Sequence, residues 1–323
     1  MYKFERRASF YLKEPKGQPF QYRKHKIHEN QQTKTSFHSI DVFHNYIKYK
    51  SAVIEVDGNL VKIKSNGIVI NLINLYLTQI TAKIIELKQK KTKFTLVFKS
   101  KREAIRFIDA CGNFVVRQGI WTDFNELKKL DSGGFSTVLL AKKKSAREEL
   151  VAVKAINKNM DEKSYRYLQM ELFALRNITS TNALKLFSVY EDEFKIYLVT
   201  EFLNGGTLAK KLDKKDLTES QSIDVVKALL NVIIEMNKYD LVHRDIKPAN
   251  IMFHVNVEGK EVCKLIDFGL CADLTDKSDN TLLKDKSGTV CYLAPELVGW
   301  EILKQLYDRQ VDVFSIGMIL FEM

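Results

Sequence analysis

Two short polar segments carry side chains that could bind a metal ion and orient a hydroxyl group. The first, LVHRDIKPAN, occupies residues 241–250, and the second, DFG, begins at Asp267, seventeen residues after Asn250. Carboxylate and amide oxygens are the ligands that Mg²⁺ prefers, so Asp245, Asn250 and Asp267 predict a magnesium site. Transfer of a phosphoryl group needs such a metal, a positive side chain and an oriented hydroxyl, with little covalent work from the protein.

The order and spacing of these segments resemble the catalytic core of eukaryotic protein kinases, in which an HRDxKPxN loop, a DFG and an APE follow one another. The APE stands here at residues 294–296. The resemblance implies ATP and Mg²⁺ as cofactors. It also implies that Asp245 orients the substrate hydroxyl, that Lys247 steadies the transferred phosphate, and that Asn250 and Asp267 hold the metal.

Residues further upstream extend the resemblance to an ATP site. VAVK at residues 151–154 matches the strand whose lysine, here Lys154, contacts the α- and β-phosphates. Glu171 lies on the next predicted helix and would pair with Lys154 in the active state. The inner face of that helix is predicted to contain Leu168, Leu172 and Leu175.

LDSGGFSTV at residues 130–138 aligns with the glycine-rich loop that covers the phosphates in the family, G-x-G-x-x-G-x-V. Gly133 is its middle glycine, Gly134 follows it, and Val138 is its valine. The first and third glycines are replaced by Asp131 and Ser136. Because glycine lets the backbone approach phosphate closely, these replacements support an alternative function, that of a catalytically impaired, kinase-like scaffold or binding protein.

The other ATP contacts that the resemblance implies are Ala152, Thr200, Glu201 and Leu203. Thr200 stands at the gatekeeper position, where a small side chain should leave a back pocket open. Thr207 stands where many relatives carry an acid that touches ribose or a substrate arginine, which weakens the case for a basic substrate.

Lys247 and Thr289 are typical of the serine/threonine branch of the family and not of the tyrosine branch, so we expect protein substrates with Ser or Thr acceptors. The overall pattern is closest to the calcium/calmodulin-dependent group. Residues 267–296 correspond to the activation segment. The resemblance implies that Arg244 is the partner of a phosphate in this segment, through charge-assisted hydrogen bonds.

DVFSIG at residues 312–317 resembles the family's DxWSxG, which begins the long central helix of the C-terminal lobe. The resemblance implies that Asp312 holds the backbone of the turn at His243 and Arg244. Relatives continue with further helices, one of which supplies an arginine for the glutamate matching Glu296. We therefore expect a truncated product, whose kinase domain stops after the start of this helix.

Residues 42–118 contain short alternating apolar runs followed by a helical pattern. Asp57-Gly58 between two such runs indicates a hairpin turn. Ser100 is a suitable N-cap for a helix whose buried face is predicted to contain Ala104, Phe107, Ile108 and Cys111. Antiparallel strands closed by one C-terminal helix resemble a pleckstrin homology domain, although the tryptophan common in that family's helix is missing.

The net charge of +11 is concentrated near the N-terminus, because residues 1–120 contain 23 basic and 9 acidic side chains. This excess predicts an anionic membrane or a phosphoinositide as a partner of that segment. Lys48 and Lys50, and Lys62 and Lys64, are spaced so that each pair shares one face of a strand. Such a patch is either a lipid-headgroup site or the ordinary polar surface of a small barrel.

Residues 1–41, basic and without periodicity, are predicted to form a disordered arm. The four cysteines show no C-x-x-C pair and no metal spacing, which favours a reducing compartment. We expect a cytoplasmic protein, with peripheral membrane attachment as an alternative. A nucleic-acid-binding function would rest on charge alone, without a recognition motif, and is not expected.

Thr218 and Gln221 have the spacing of a capping box and predict the start of a helix. We expect its buried stripe to contain Ile223, Val226, Leu230 and Ile233.

Together these patterns predict an α+β protein with a two-lobe kinase fold and an incomplete C-terminal lobe, preceded by a small β-barrel that a C-terminal helix caps. The predicted parts are the arm at residues 1–41, the pleckstrin-homology-like domain at 42–118 and the truncated kinase domain at 124–323. The predicted function is that of a protein serine/threonine kinase with an N-terminal module for membrane or partner localisation.

Overall fold

The computed structural model describes residues 35–323 except 45–46, 58, 65–67, 74, 90–91, 135, 145–148, 257, 275–288 and 299–307. The chain forms two compact units. The first unit ends at Asn159 and also includes Phe187–Thr200. The second consists of Met160–Leu186 and Glu201–Met323.

In the described part of the chain, thirteen strands form one sheet that makes up most of the first unit, in the order β4-β3-β2-β1-β7-β6-β5-β8-β12-β13-β11-β10-β9. The strands are β1 (Thr35–His44), β2 (Ile47–Asp57), β3 (Leu60–Ile63), β4 (Ile68–Asn71), β5 (Tyr76–Thr81), β6 (Ile84–Gln89), β7 (Thr92–Val97), β8 (Val116–Arg117), β9 (Phe124–Ser132), β10 (Ser136–Lys143), β11 (Leu150–Asn157), β12 (Leu186–Glu191) and β13 (Lys195–Glu201). Its helices are α1 (Lys101–Cys111) and α2 (Ile120–Asp123).

Strands β1–β7 and helix α1 enclose one apolar core and are called the N-terminal module below. The Phe37 ring packs edge-on against Phe107 of α1, with centroids 5.5 Å apart. The predicted start and face of α1 are confirmed. Ser100 accepts a hydrogen bond from the Glu103 N–H at 3.2 Å, and the predicted residues Ala104, Phe107, Ile108 and Cys111 are all buried.

The boundary predicted for the N-terminal arm is wrong, because β1 begins at Thr35, inside the range 1–41. Phe37 and Ile40 are both buried although they are three residues apart. The pairing of β1 with β2 shifts register between these two residues, which breaks the alternation of period two. The strand is therefore hard to recognise in the sequence. Residues 1–34 of the predicted arm lie outside the described residues.

A closed barrel in the N-terminal module is not confirmed. The hairpin predicted at Asp57 is present, since Asp57 pairs with Leu60 across the turn from β2 to β3. The seven strands follow the order β4-β3-β2-β1-β7-β6-β5, and in the described part of the chain β4 and β5 do not pair with each other. The module is thus an antiparallel sheet that packs on one helix.

The other strands of this sheet have a separate core. Val151, Val153 and Ala155 of β11 are buried in that core. Because side chains alternate across a strand, Ala152 and Lys154 lie on the opposite face, where both are half-buried.

The second unit is mainly helical. Its helices are α3 (Glu162–Asn177), α4 (Leu208–Asp213), α5 (Glu219–Asn237), α6 (Pro295–Val298) and α7 (Gln310–Glu322). Two-stranded sheets pair β14 (Leu241–Val242) with β17 (Ala272–Asp273) and β15 (Ile251–Val255) with β16 (Glu261–Leu265). None of the described helices combines the length and the apolar character that crossing a membrane requires.

Helix α5 starts as predicted but buries a different face. The capping box is complete, with hydrogen bonds in both directions between Thr218 and Gln221. Of the predicted stripe only Ile233 is buried, and Ile223 is 46% exposed. The apolar residues that are buried instead are Val225, Ala228, Leu229, Val232 and Met236. Both stripes have helical spacing and both are apolar, so periodicity alone cannot choose between them.

Gly205 allows the chain leading into α4 to run beside β15. Its N–H donates to the Phe253 carbonyl oxygen at 2.8 Å. A Cβ at this position would lie 2.7 Å from Phe253 Cβ and 2.8 Å from that oxygen. The backbone itself is therefore in the way, and a small shift of a side chain cannot make room.

We predict that Gly205→Ala lowers the free energy of unfolding by about 1–3 kcal/mol, the usual cost of overpacking. The matched control is Gly317→Ala in α7, where an added Cβ would meet no atom within 4 Å. The control should raise stability by about 0.5–1 kcal/mol, since alanine is the better helix former. Urea denaturation measures both variants, and equal stability of the two would contradict the prediction.

Candidate active site

The segment that carries Asp245 is held in place by a carboxylate on α7. Asp312 accepts hydrogen bonds from the His243 N–H at 2.7 Å and from the Arg244 N–H at 2.9 Å, as predicted. Arg244 has a φ of 69°, in the left-handed region that side chains other than glycine rarely adopt. The two hydrogen bonds stabilise this strained turn. Burial raises the pKa of Asp312, and the two backbone donors act in the opposite direction.

His243 is fully buried beside this turn. Its ring packs against Phe268, with centroids 5.3 Å apart, and its Nδ1 accepts a hydrogen bond from the Asp245 N–H at 3.3 Å. Burial lowers the pKa of His243, which favours the neutral ring. The imidazole therefore serves as an apolar support for Phe268 and as an acceptor for the backbone of Asp245.

The Asp245 carboxylate lies at the centre of a network of donors. Lys247 Nζ and Asn250 Nδ2 donate to Oδ2 at 2.8 and 2.9 Å. The backbone N–H and the hydroxyl of Thr289 both donate to Oδ1 at 3.1 Å. Lys247 Nζ also donates to Thr289 Oγ1 at 2.8 Å. These contacts hold the carboxylate in one orientation.

Thr289 was not predicted to be a site residue, although its position in the sequence favoured the serine/threonine branch. Its hydroxyl joins Lys247 to Asp245 across more than forty residues of chain. No local pattern indicates this contact. Only the distance from the APE motif could have suggested that Thr289 lies near the catalytic segment.

Asn250 and Asp267 lie at the same end of the β15–β16 hairpin. Ile251 pairs with Leu265, and the Ile266 N–H donates to the Asn250 carbonyl oxygen at 2.9 Å. Asn250 Nδ2 donates to both the carbonyl oxygen and Oδ2 of Asp245 at 2.9 Å. Since its NH₂ group makes these two contacts, the amide oxygen remains as the atom that could bind a metal.

This donor set fits Mg²⁺. Asn250 offers an amide oxygen and Asp267 a carboxylate, of which Oδ1 accepts from the Gly269 N–H at 3.0 Å. Over the residues that the structure describes, His, Cys, Asp and Glu side chains form no group of three or more that could hold a metal on their own. Two protein oxygens, completed by phosphate oxygens and water, are the coordination that Mg²⁺ commonly takes.

Glu171 lies on the buried side of α3, together with the predicted residues Leu168, Leu172 and Leu175. It is 6% exposed, and its Oε2 is 3.9 Å from the position that a Cβ on Gly269 would take. The carboxylate therefore faces the DFG segment. Its predicted partner, Lys154, belongs to the first unit, and the ion pair between them stays a prediction.

The turn between β9 and β10 corresponds to the predicted phosphate loop. The Gly133 N–H donates to the Ser136 carbonyl oxygen at 2.9 Å, and a Cβ on Gly133 or Gly134 would meet no atom within 4 Å. Asp131 is exposed, and its Oδ1 accepts from the Ser132 N–H at 2.7 Å. One oxygen of this unusual carboxylate is thus engaged by the backbone of the next residue.

Val138, Ala152 and Lys154 share the face of the sheet that lies away from the core. Val138 is directly opposite Lys154 in the pairing of β10 with β11. The Thr200 hydroxyl donates to the Ala152 carbonyl oxygen at 3.4 Å, which ties β13 to the same strand. The structure therefore brings these four predicted ATP contacts onto neighbouring strands.

Glu201 and Leu203, also predicted ATP contacts, belong to the second unit. The Glu201 carboxylate accepts hydrogen bonds from the Lys185 N–H at 2.7 Å and from Lys264 Nζ at 2.8 Å. Leu203 is buried. The Glu201 side chain is engaged within its own unit, so a contact between Glu201 and a ligand would involve its backbone.

The predicted partner of an activating phosphate, Arg244, is buried. Its Nε donates to the Leu270 carbonyl oxygen at 2.7 Å, and its guanidinium lies 5.7 Å from the centre of the Tyr167 ring. It thereby anchors the chain just after the DFG. Residues 275–288, which contain most hydroxyls of the predicted activation segment, lie outside the described residues, so regulation by phosphorylation stays a prediction.

Comparison with known proteins gives one family and several relatives. Residues 124–323 match the family described as Protein kinase domain. Calcium-dependent protein kinase 4 of Plasmodium berghei (strain Anka) is 32% identical over 207 residues, which are 61% of this chain and 37% of that protein.

Two further relatives are calcium/calmodulin-dependent protein kinases type 1. The protein of Macrobrachium nipponense is 32% identical over 193 residues, 59% of this chain and 53% of the relative. The protein of Caenorhabditis elegans is 32% identical over 200 residues, 62% of this chain and 54% of the relative. The chain spans about half the length of these two relatives, and less of the first.

We predict that Asp312→Asn lowers the free energy of unfolding by about 2 kcal/mol or more, because the new NH₂ group would face a backbone N–H that then has no acceptor. The control is Val313→Ala, at a neighbouring position of α7 that is 52% exposed. Chemical denaturation measures the free energy of unfolding of both variants. If the asparagine variant is as stable as the control, Asp312 does not hold the turn.

Proposed function

Because the chain belongs to the protein kinase family, we propose that it transfers the γ-phosphate of ATP to serine or threonine hydroxyls of protein substrates. The observation that carries this proposal is the network around Asp245, in which Lys247, Asn250 and Thr289 hold one carboxylate. A carboxylate fixed in this way can accept a hydrogen bond from an incoming hydroxyl.

In the proposed reaction the substrate oxygen attacks the γ-phosphorus while the bond to the bridging oxygen of ADP breaks. Asp245 orients the hydroxyl and accepts its proton, which later passes to solvent. Lys247 lies 2.8 Å from Asp245 Oδ2 and places a positive charge where the transferred group would gain negative charge. Lys154 would hold the α- and β-phosphates, and the backbone of the Gly133–Gly134 turn would cover them.

Asn250 and Asp267 would hold Mg²⁺. The ion, when bound, neutralises charge on the β- and γ-phosphates. The contribution of the chain itself is to orient the two ligands. The hydrogen bonds from Asn250 Nδ2 to Asp245 fix the direction of the amide oxygen, and the Gly269 N–H fixes one oxygen of Asp267.

The serine/threonine preference is supported by Lys247 and Thr289 and by relatives whose names include calcium- or calmodulin-dependent kinases. Of the properties that these names imply, we propose only phosphoryl transfer for this chain. Regulation by calcium or calmodulin stays a prediction.

A kinase-like scaffold without turnover is the second candidate function. It is favoured by Asp131 and Ser136, which replace two glycines of the phosphate loop. Asp131 is the more serious replacement, because a negative charge near ATP opposes binding. The intact network of Asp245 argues for turnover, and a single measurement of phosphate transfer decides between the two functions.

For the N-terminal module we propose a peripheral role at anionic membranes of the cytoplasm, similar to that of a pleckstrin homology domain. Lys62 and Lys64, at the first hairpin, already pair with Asp57 and Glu55 at 3.1 Å. These pairs reduce the charge that the hairpin offers to a headgroup. We therefore propose diffuse attraction by the basic surface of residues 1–120, without a dedicated headgroup pocket at this hairpin.

We predict that Asp245→Asn and Asp267→Asn each lower kcat by about 100-fold or more, because each removes an interaction made in the transition state. The assay is transfer of labelled phosphate from Mg·ATP to serine and threonine peptides. Asp213→Asn, at an exposed acid at the end of α4, is the matched control and should keep full activity. Labelling at the control rate by either site variant would refute the assignment.

We also predict that the chain binds vesicles containing phosphatidylserine more tightly than vesicles of phosphatidylcholine alone. Raising the salt concentration should weaken binding, because the screening length is only about 8 Å at 0.15 M. Replacing both Lys62 and Lys64 by Gln should change vesicle binding less than twofold. Equal partitioning onto the two vesicle types would contradict the membrane role, and a large loss with the Gln variant would indicate a specific headgroup site.

A further inference from the structure

The N-terminal module shares its sheet with the strands that carry Lys154. Strand β8 is only two residues long, but it pairs on both sides. Val116 is opposite Tyr76 of β5 in one pairing and opposite Val189 of β12 in the other. The Val116 N–H also donates to the Leu75 carbonyl oxygen at 2.8 Å. The module is thus joined to the second half of the sheet by hydrogen bonds as well as by the chain.

A buried charged residue of β12 connects the module to β11. The Tyr76 hydroxyl donates to Glu191 Oε2 at 2.8 Å, and Lys158 Nζ forms an ion pair with the other carboxylate oxygen of Glu191. The side chains of Glu191 and Lys158 are 4% and 10% exposed. Lys158 follows the end of β11, four residues after Lys154.

A second set of contacts connects β8 to the strand that leads into the phosphate loop. Arg117 pairs with Asp123 at 2.5 Å, and the Tyr190 hydroxyl donates to the same carboxylate oxygen at 2.5 Å. The Arg117 guanidinium lies 4.8 Å from the centre of the Tyr190 ring. Asp123 ends α2 and immediately precedes β9.

We propose that the N-terminal module is a built-in part of the lobe that holds ATP, and that Tyr76 is a positioning residue for Lys154, acting through Glu191 and Lys158. The inference rests on the proposed function insofar as Lys154 contacts phosphate. A buried carboxylate that loses a donor is left with an unsatisfied oxygen, so Glu191 would shift or hydrate. Lys158 would move together with Glu191, and the end of β11 would then be held less firmly.

The decisive variant is Tyr76→Phe, which removes the hydroxyl and keeps the ring. In the full chain we expect the Kd for Mg·ATP, measured by calorimetry, to rise about threefold. This is far less than the loss of about tenfold or more expected for one direct hydrogen bond to a charged group, because Tyr76 acts only through other residues. At saturating ATP kcat should stay within twofold, and KM for the peptide should not change. Tyr239→Phe, a tyrosine of the second unit, is the matched control.

A double-mutant cycle tests the connection without relying on activity. Tyr76→Phe, Lys158→Met and the combined variant are compared by thermal unfolding. Groups in one network give non-additive effects, so the Tm shift of the combined variant should be clearly smaller than the two single shifts together.

Each outcome decides a different statement. Additive Tm shifts would overturn the connection through Glu191, and a coupled cycle with unchanged Kd for ATP would overturn the positioning role. A chain that neither binds ATP nor transfers phosphate would instead contradict the proposed function. The unfolding cycle would in that case decide the connection alone.

Discussion

Asp312 accepts hydrogen bonds from two successive backbone N–H groups, and these bonds connect helix α7 to the segment that carries Asp245. The turn at Arg244 is strained, and a strained turn persists only where its surroundings hold it. Here the hydrogen bonds to Asp312 of α7 stabilise the turn. The same helix reaches the segment of Thr289, because the Ser315 hydroxyl donates to the Tyr292 carbonyl oxygen at 2.7 Å. One helix thus fixes both sides of the Asp245 network.

Buried acids have different tasks in the two units. Asp312 accepts from backbone and therefore sets the path of the chain. Asp245 accepts from four donors of three other residues, and this fixes a side chain. Glu191 accepts from a tyrosine and pairs with a lysine, which joins parts of the sheet. In each case the buried carboxyl group is tolerated because several donors compensate for its lost hydration.

The grouping of Lys247 and Asn250 around Asp245 could be predicted because the motif that contains them combines unusual residue types at fixed spacing. The capping box at Thr218 and the buried face of α1 could also be predicted, because both depend on residues that are close together in the sequence. The buried side of α5 could not be predicted. That helix has two apolar stripes, and the spacing of its residues does not show which stripe is buried. The start of β1 was missed because a register shift separates Phe37 from Ile40.

Contacts between distant parts of the chain could not be predicted from the sequence. Thr289 meets Asp245 across a long segment, and Tyr76 meets Glu191 across 115 positions. Strand β8 has two residues, too few to show any alternation. The division of the chain into a localisation module and a kinase domain, drawn near residues 118–124, followed the motifs. The hydrogen bonds of the sheet run across that division.

The pairing of β8 with β12 also protects one edge of β12. At Val189 and Tyr190, β8 occupies the hydrogen-bonding edge of β12 that faces away from β13. An uncovered edge presents backbone donors and acceptors to any other strand, and proteins generally protect such edges. In a fragment that begins at residue 124, β12 would lose this cover while keeping its apolar side chains. Such a fragment should be prone to intermolecular strand pairing even though it retains every catalytic motif.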